Sequence, residues 1–179
     1  MVVPDGDVDI LSQMHINLDI RKEWDTSFRN MRVVQTFSEK EDIIHHELKM
    51  PFPLSSRDFV HCRYYLNSES HREELERLGI AVGSTKCCVI LQHSTVLESC
   101  PVAKGVERAE NITVSIFEED SEDSKLVHVK TTSKTDLKGT IPSALLQTCI
   151  GIQTLKNFEA YLAAFRKNQD KWKQLLQKD

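Results

Sequence analysis

The chain has 179 residues, 40% hydrophobic and 28% charged, with 23 Lys and Arg against 27 Asp and Glu for a net charge of −4. This excludes general disorder and a broad nucleic-acid face, which needs excess cations, so no nucleic-acid partner is expected. The longest apolar run, Cys87 to Leu91, is too short to cross a bilayer and no basic leader marks a secretory signal, so one cytoplasmic domain over residues 1–179 with reduced cysteines is expected.

Val8, Leu11, Met14 and Leu18 recur at helical spacing after an Asp/Gly-rich start and predict a first helix. A second short helix is expected over Ile20 to Asn30, with Trp24 and Phe28 one turn apart. Arg32 to Phe37 reads as a strand, Lys40 to Asp42 as a turn and Ile43 to Met50 as a second strand. Two prolines make 51–56 a loop or an edge, and Asp58 to Leu66 a third strand. Glu73 to Leu78 has room for one or two helical turns. A fourth strand is expected over Cys87 to Thr95, a long fifth over Val106 to Phe117 and a sixth over Leu126 to Thr135. Pro142 suits a first helical position. Beyond it Leu145, Leu146, Cys149, Ile150, Ile152, Leu155, Phe158, Leu162 and Phe165 form a wide apolar stripe, with Gly151 placed for a bend and Asn168 for a break. Helices, then a run of strands, then one long helix imply an α+β fold.

A long amphipathic helix can lie on a flat sheet, or a curved sheet can wrap around it and leave a hollow suited to an apolar ligand. Composition does not choose between them. Glu47 and Arg63 fall in the middle of neighbouring strands and read either as a buried pair or as a surface pair worth under about 1 kcal/mol. Arg108 and Glu110 read as surface charges. His45 and His46 point to opposite faces of one strand, as do Cys87 and Cys88, so neither pair chelates. His-Glu-x-x-His, Gly-x-Ser-x-Gly and a Gly-rich phosphate loop are all missing from the sequence. Cys62 beside Arg63 reads as a structural thiol. No catalytic residue, metal ligand or cofactor is expected. The basic segment Arg166 to Lys178, with Trp172, reads as a solvated helix end or as a rest on an anionic membrane.

Four motifs stand in order within residues 8–167. They are Arg21-Lys22-Glu23-Trp24-Asp25, then Lys49-Met50-Pro51-Phe52-Pro53-Leu54-Ser55-Ser56-Arg57-Asp58-Phe59-Val60 followed by Arg63, then Gly105-Val106-Glu107-Arg108-Ala109-Glu110, then Asp136-Leu137-Lys138-Gly139-Thr140-Ile141-Pro142. Together they resemble the START lipid-binding domains, most of all the phosphatidylcholine-transfer branch. The resemblance implies a helix-grip fold: a curved antiparallel sheet wrapped around a long C-terminal helix, with an internal tunnel for one lipid. It implies that Glu47 and Arg63 point inward as the polar end of that tunnel. His45 is expected beside Glu47, and Phe59, His61 and Tyr65 beside Arg63, with Asn111 as a further lining residue. Met50, Pro51, Phe52, Pro53 and Leu54 are expected to form a gate with the last helix. The family carries a helix and strands ahead of the first motif that this sequence lacks, so a partner chain, as in a dimer, is one way to close the sheet. The implied function is non-enzymatic binding of one lipid, phospholipid or sterol, and its transfer between membranes through transient surface contact. The alternatives are a lipid-sensing or scaffold module acting through a protein partner, and a fragment without transfer activity.

Overall fold

A computed structural model describes residues 1–50, 52–80 and 85–176, with side chains for all of these except 144–154. Asp7 starts the first helix, α1 (Val8–Ile16), by accepting from the amides of Asp9 and Ile10. Asn17 then ends α1 and caps α2 (Leu18–Lys22) through the amides of Asp19 and Ile20. The expected second helix therefore begins earlier and stops sooner. The Trp24 indole donates back to the Met14 carbonyl at 3.0 Å, and Asp25 is taken up by Arg21 and Ser27. Phe28, freed from the helix, opens a strand.

The remaining elements are β1 (Val2–Pro4), β2 (Phe28–Ser38), β3 (Glu41–Leu48), β4 (Ser56–Asn67), α3 (Arg72–Arg77), β5 (Cys87–Ser94), β6 (Val106–Arg108), β7 (Glu110–Glu119), β8 (Leu126–Asp136) and α4 (Ser143–Leu176). They form one sheet in the order β1-β8-β7-β5-β4-β3-β2, antiparallel along this path, with β6 beside β4. This is the α+β helix-grip arrangement. Among the described residues no helix is long and apolar enough to cross a membrane.

Three departures from the expected elements have local causes. Val2–Pro4 adds a strand to β8, and Gly6 then passes so close to Val127 that a Cβ there would lie 2.8 Å from its side chain. The expected fifth strand is two. Val106–Arg108 runs parallel to β4, whereas Glu110–Glu119 crosses to β5. Ala109 at the step is fully buried and donates to the Asp58 carbonyl, so a larger residue has no room. Finally, α4 continues through Asn168 without a break.

Alternation sorts the strands cleanly. Cys88, Ile90, Phe117, Val127 and Val129 face inward and share one cluster with Leu11 and Met14 of α1 and with Tyr161, Phe165 and Trp172 of α4. Cys87 and Val89 face outward and pack with Leu66 and Leu75 under α3. Trp172 is fully buried, which corrects the idea that it rests on a membrane. Of the expected stripe, Leu145, Leu146, Cys149, Ile150 and Ile152 lie outside the described side chains. Leu155 and Phe158 are exposed, and Tyr161 donates to the Leu11 carbonyl at 2.7 Å, fixing α4 across α1.

Candidate functional site

Arg63 lies inward on β4, directly opposite Asp42 on β3. The pair is bidentate, Nε to Oδ1 at 2.9 Å and Nη2 to Oδ2 at 2.6 Å, with Arg63 only 2% exposed. Nη1 donates to the carbonyls of His15 and Ile16, which close the last turn of α1 and have no partner within that helix. Tyr65 donates to Asp42 Oδ1 at 2.8 Å; burial first, then the Asp42 charge, pushes its phenol well up. Arg63 thus pins the end of a helix to the sheet. A cleft of about 460 Å³, lined by Asn17, Asp19, Met31 and Arg32 among others, reaches this couple from between α2 and β2.

This corrects the expected Glu47–Arg63 pair. Glu47 stands opposite Asp58, on the other face, where Arg29 and Asn30 engage it. His45 lies on that outer face too and meets Asp58 at 3.0 Å. The cause is parity: Asp42, Ile44, His46 and Leu48 are the β3 residues in register with the inward positions of β4. Phe59, His61 and Tyr65 do share the face of Arg63. So does His46, which sequence reasoning set aside. Phe28, His46, Phe59 and His61 form one ring cluster, with His46 and His61 centroids 5.0 Å apart. Burial, then the Arg21 and Arg63 charges, pulls the His61 imidazole down to about 3. Burial and neighbouring charges, His61 first, pull His46 well down too.

The register carries the polar level across the sheet. Asp42, Arg63, Gln92, Thr113 and Ser133 form one rung over five strands. On the next rung stand His61, Ser94, Asn111 and Thr135. Asn111 donates to Ser133 Oγ at 2.9 Å and to Thr135 Oγ1 at 3.0 Å, and accepts from Thr113. Ser115 meets Thr131 at 3.0 Å. Over this stretch the inner face of the sheet therefore carries hydroxyls and amides, with Thr131, Ser133 and Thr135 exposed.

The motif residues do structural work around the site. Arg57, 2% exposed, donates to the carbonyls of Ser55, Leu137 and Lys138 and pairs with Glu107 at 3.5 Å. Gly139, at φ 69°, sits so close that a Cβ would lie 2.7 Å from Glu107. Asp58 takes Arg108 in two bonds of 2.8 and 2.9 Å, so Arg108 is not a surface partner of Glu110, which Lys138 takes instead. Of the expected gate, Met50 packs toward Phe59, Ala109 and Leu137, while Phe52 is 96% exposed and Pro53 exposed. Leu54 is half-buried; Pro51 lies outside the described residues. Cys62 faces away from Arg63, and burial with the Glu41 charge pushes its thiol up rather than down. Among the described residues no group of His, Cys, Asp and Glu is placed to hold a metal.

The family model that matches is the START domain, over residues 2–171. The phosphatidylcholine transfer protein of Bos taurus is 30% identical over 103 residues, covering 58% of this chain and 42% of that protein. Its Mus musculus counterpart is 28% identical over 107 residues, covering 60% of this chain and 44% of that protein. The matched stretch thus spans less than half the length of these curated relatives. Among solved structures, human StAR-related lipid transfer protein 5 superposes with a TM-score of 0.73 at 14% identity, over 93% of this chain and 73% of that one. That likeness is one of fold.

Proposed function

We propose that this chain, which belongs to the START domain family, binds one lipid molecule, phospholipid or sterol, between the inner face of its sheet and the first half of α4, and carries it between membranes without chemical change. The observation that supports this most is the polar band on that inner face. It lies between two apolar clusters, that of Phe117 and Trp172 and that of Phe59 and Leu137. An inner face that only had to pack a helix gains nothing from Gln92, Asn111 and Thr113 there. A lipid with two chains of roughly fifteen methylenes exposes about 24 kcal/mol of apolar surface in water, at ~0.8 kcal/mol per CH₂. A carrier has to cover that surface and orient the head. Arg63 and Asp42 hold the floor of the site, and the loop of Met50, Phe52, Pro53 and Leu54 with α4 serves as the door, Phe52 making the transient contact with the bilayer.

The test is transfer of fluorescent phosphatidylcholine and fluorescent sterol from donor to acceptor vesicles by the full chain. Transfer in proportion to added protein is expected. Binding without transfer would favour a sensing or scaffold role, and neither binding nor transfer would remove the carrier reading.

A further inference from the structure

His46 and His61 are each 1% exposed, and Nδ1 of His46 and both ring nitrogens of His61 lack a hydrogen-bond partner among the described residues. Buried polar atoms are normally paired, and each unpaired one has given up its bond to water for nothing. Both rings point to the inner face, framed by Phe28 at 4.3 Å from His46 and Phe59 at 5.2 Å from His61. We infer that His46 and His61 form the seat for a hydroxyl group, so that the preferred cargo is an uncharged lipid bearing a free hydroxyl rather than a phospholipid.

The inference rests on the carrier reading and narrows it. A neutral imidazole offers one donor and one acceptor, and a hydroxyl does the same, so one hydroxyl can satisfy a nitrogen of each ring. A phosphate only accepts and leaves an acceptor nitrogen unpaired. It also needs a cation. Arg21 and Arg63, the guanidiniums whose charges reach this pair, are already engaged by Asp25 and Asp42. Burial keeps the His61 imidazole uncharged at neutral pH, with its proton lost above about 3. The phenyl rings on either side supply apolar contact for the carbon skeleton that bears the hydroxyl.

The experiment incubates the full chain with phosphatidylcholine vesicles containing equal minor fractions of cholesterol and dioleoylglycerol, re-isolates the protein and quantifies its bound lipids. Cholesterol or dioleoylglycerol should be enriched over phosphatidylcholine by about tenfold relative to the vesicle, and His61→Phe or His46→Phe should remove most of that enrichment. His61→Gln, which keeps a donor and an acceptor, should retain it. The ¹⁵N signals of the His61 ring should move when cholesterol is loaded. Bound lipids in the vesicle's own proportions would overturn the seat and leave the carrier reading standing. So would a preference that survives both Phe substitutions, the mark of a buried water only. If no lipid is recovered, both fall.

Discussion

Along β7 the inward side chains run Phe117, Ser115, Thr113, Asn111, and along β8 they run Val127, Val129, Thr131, Ser133, Thr135. On β5 Cys88 and Ile90 give way to Gln92 and Ser94. Three neighbouring strands change chemistry at nearly the same level, on one face. The end near β1 is dry, filled by α1 and by Tyr161, Phe165 and Trp172. The other end is built from hydrogen bonds. A core that closes on itself keeps every inward position apolar, so the joint switch marks where the sheet stops serving its own packing.

Acid should test both ends together and have the largest effect. His15, ringed by Trp24, Phe117 and Tyr161, belongs to the dry end, and His61 to the polar end. Burial, then nearby arginines, holds each at about 3 against an ordinary 6.5. Between those values the unfolded chain binds more protons than the folded one. Stability is therefore complete above the upper value and drains as pH falls toward the lower, by about 1.4 kcal/mol per pH unit for each group. Urea midpoints should fall through this window, and His15→Phe and His61→Phe should each flatten the slope. A midpoint indifferent to pH there would contradict the burial of both rings.

Next in size is Trp172→Ala at the dry end, expected to cost about 3–5 kcal/mol by the cavity it leaves. Calorimetry or urea unfolding reads this directly. At the polar end Arg63→Met strands Asp42 and should cost about 3 kcal/mol, part of which Asp42→Asn in the same chain restores. Strict additivity of the two would mean the couple is not coupled. The smallest effect belongs to Thr113→Val with Ser133→Ala, whose hydroxyls meet at 2.9 Å. Asn111 loses its bonds to both hydroxyls but keeps Thr135 and is only half-buried, so stability should stay within about 1 kcal/mol of the parent. A loss as large as that of Trp172→Ala would show the polar end to be packed like the dry one, and the contrast would disappear.

Much of the strand pattern was legible because period-two alternation survives in a single sequence. The site was legible in part. Alternation alone places Arg63, Phe59, His61 and Tyr65 on one face. Alternation does not identify their acid, because parity within a strand says nothing about register between strands. The turn does not supply it either, since reflecting Arg63 through the middle of the 51–56 loop lands on Ile44, whereas the pairing is centred between Phe52 and Pro53 and sets Arg63 opposite Asp42. His46 is hidden from the sequence for the same reason. Neither the crossing at Ala109 nor the short Val2–Pro4 strand has a local signal, because both depend on which strand lies alongside.

Arg57 joins three stretches distant in sequence: Ser55 in the proline loop, Glu107 in β6, and the Leu137–Lys138 turn that leads to α4. Its guanidinium acts as a hinge pin. Any shift of Ser55 therefore strains the turn that leads to α4 as well, so that turn and the β4 end of the proline loop are held in one piece.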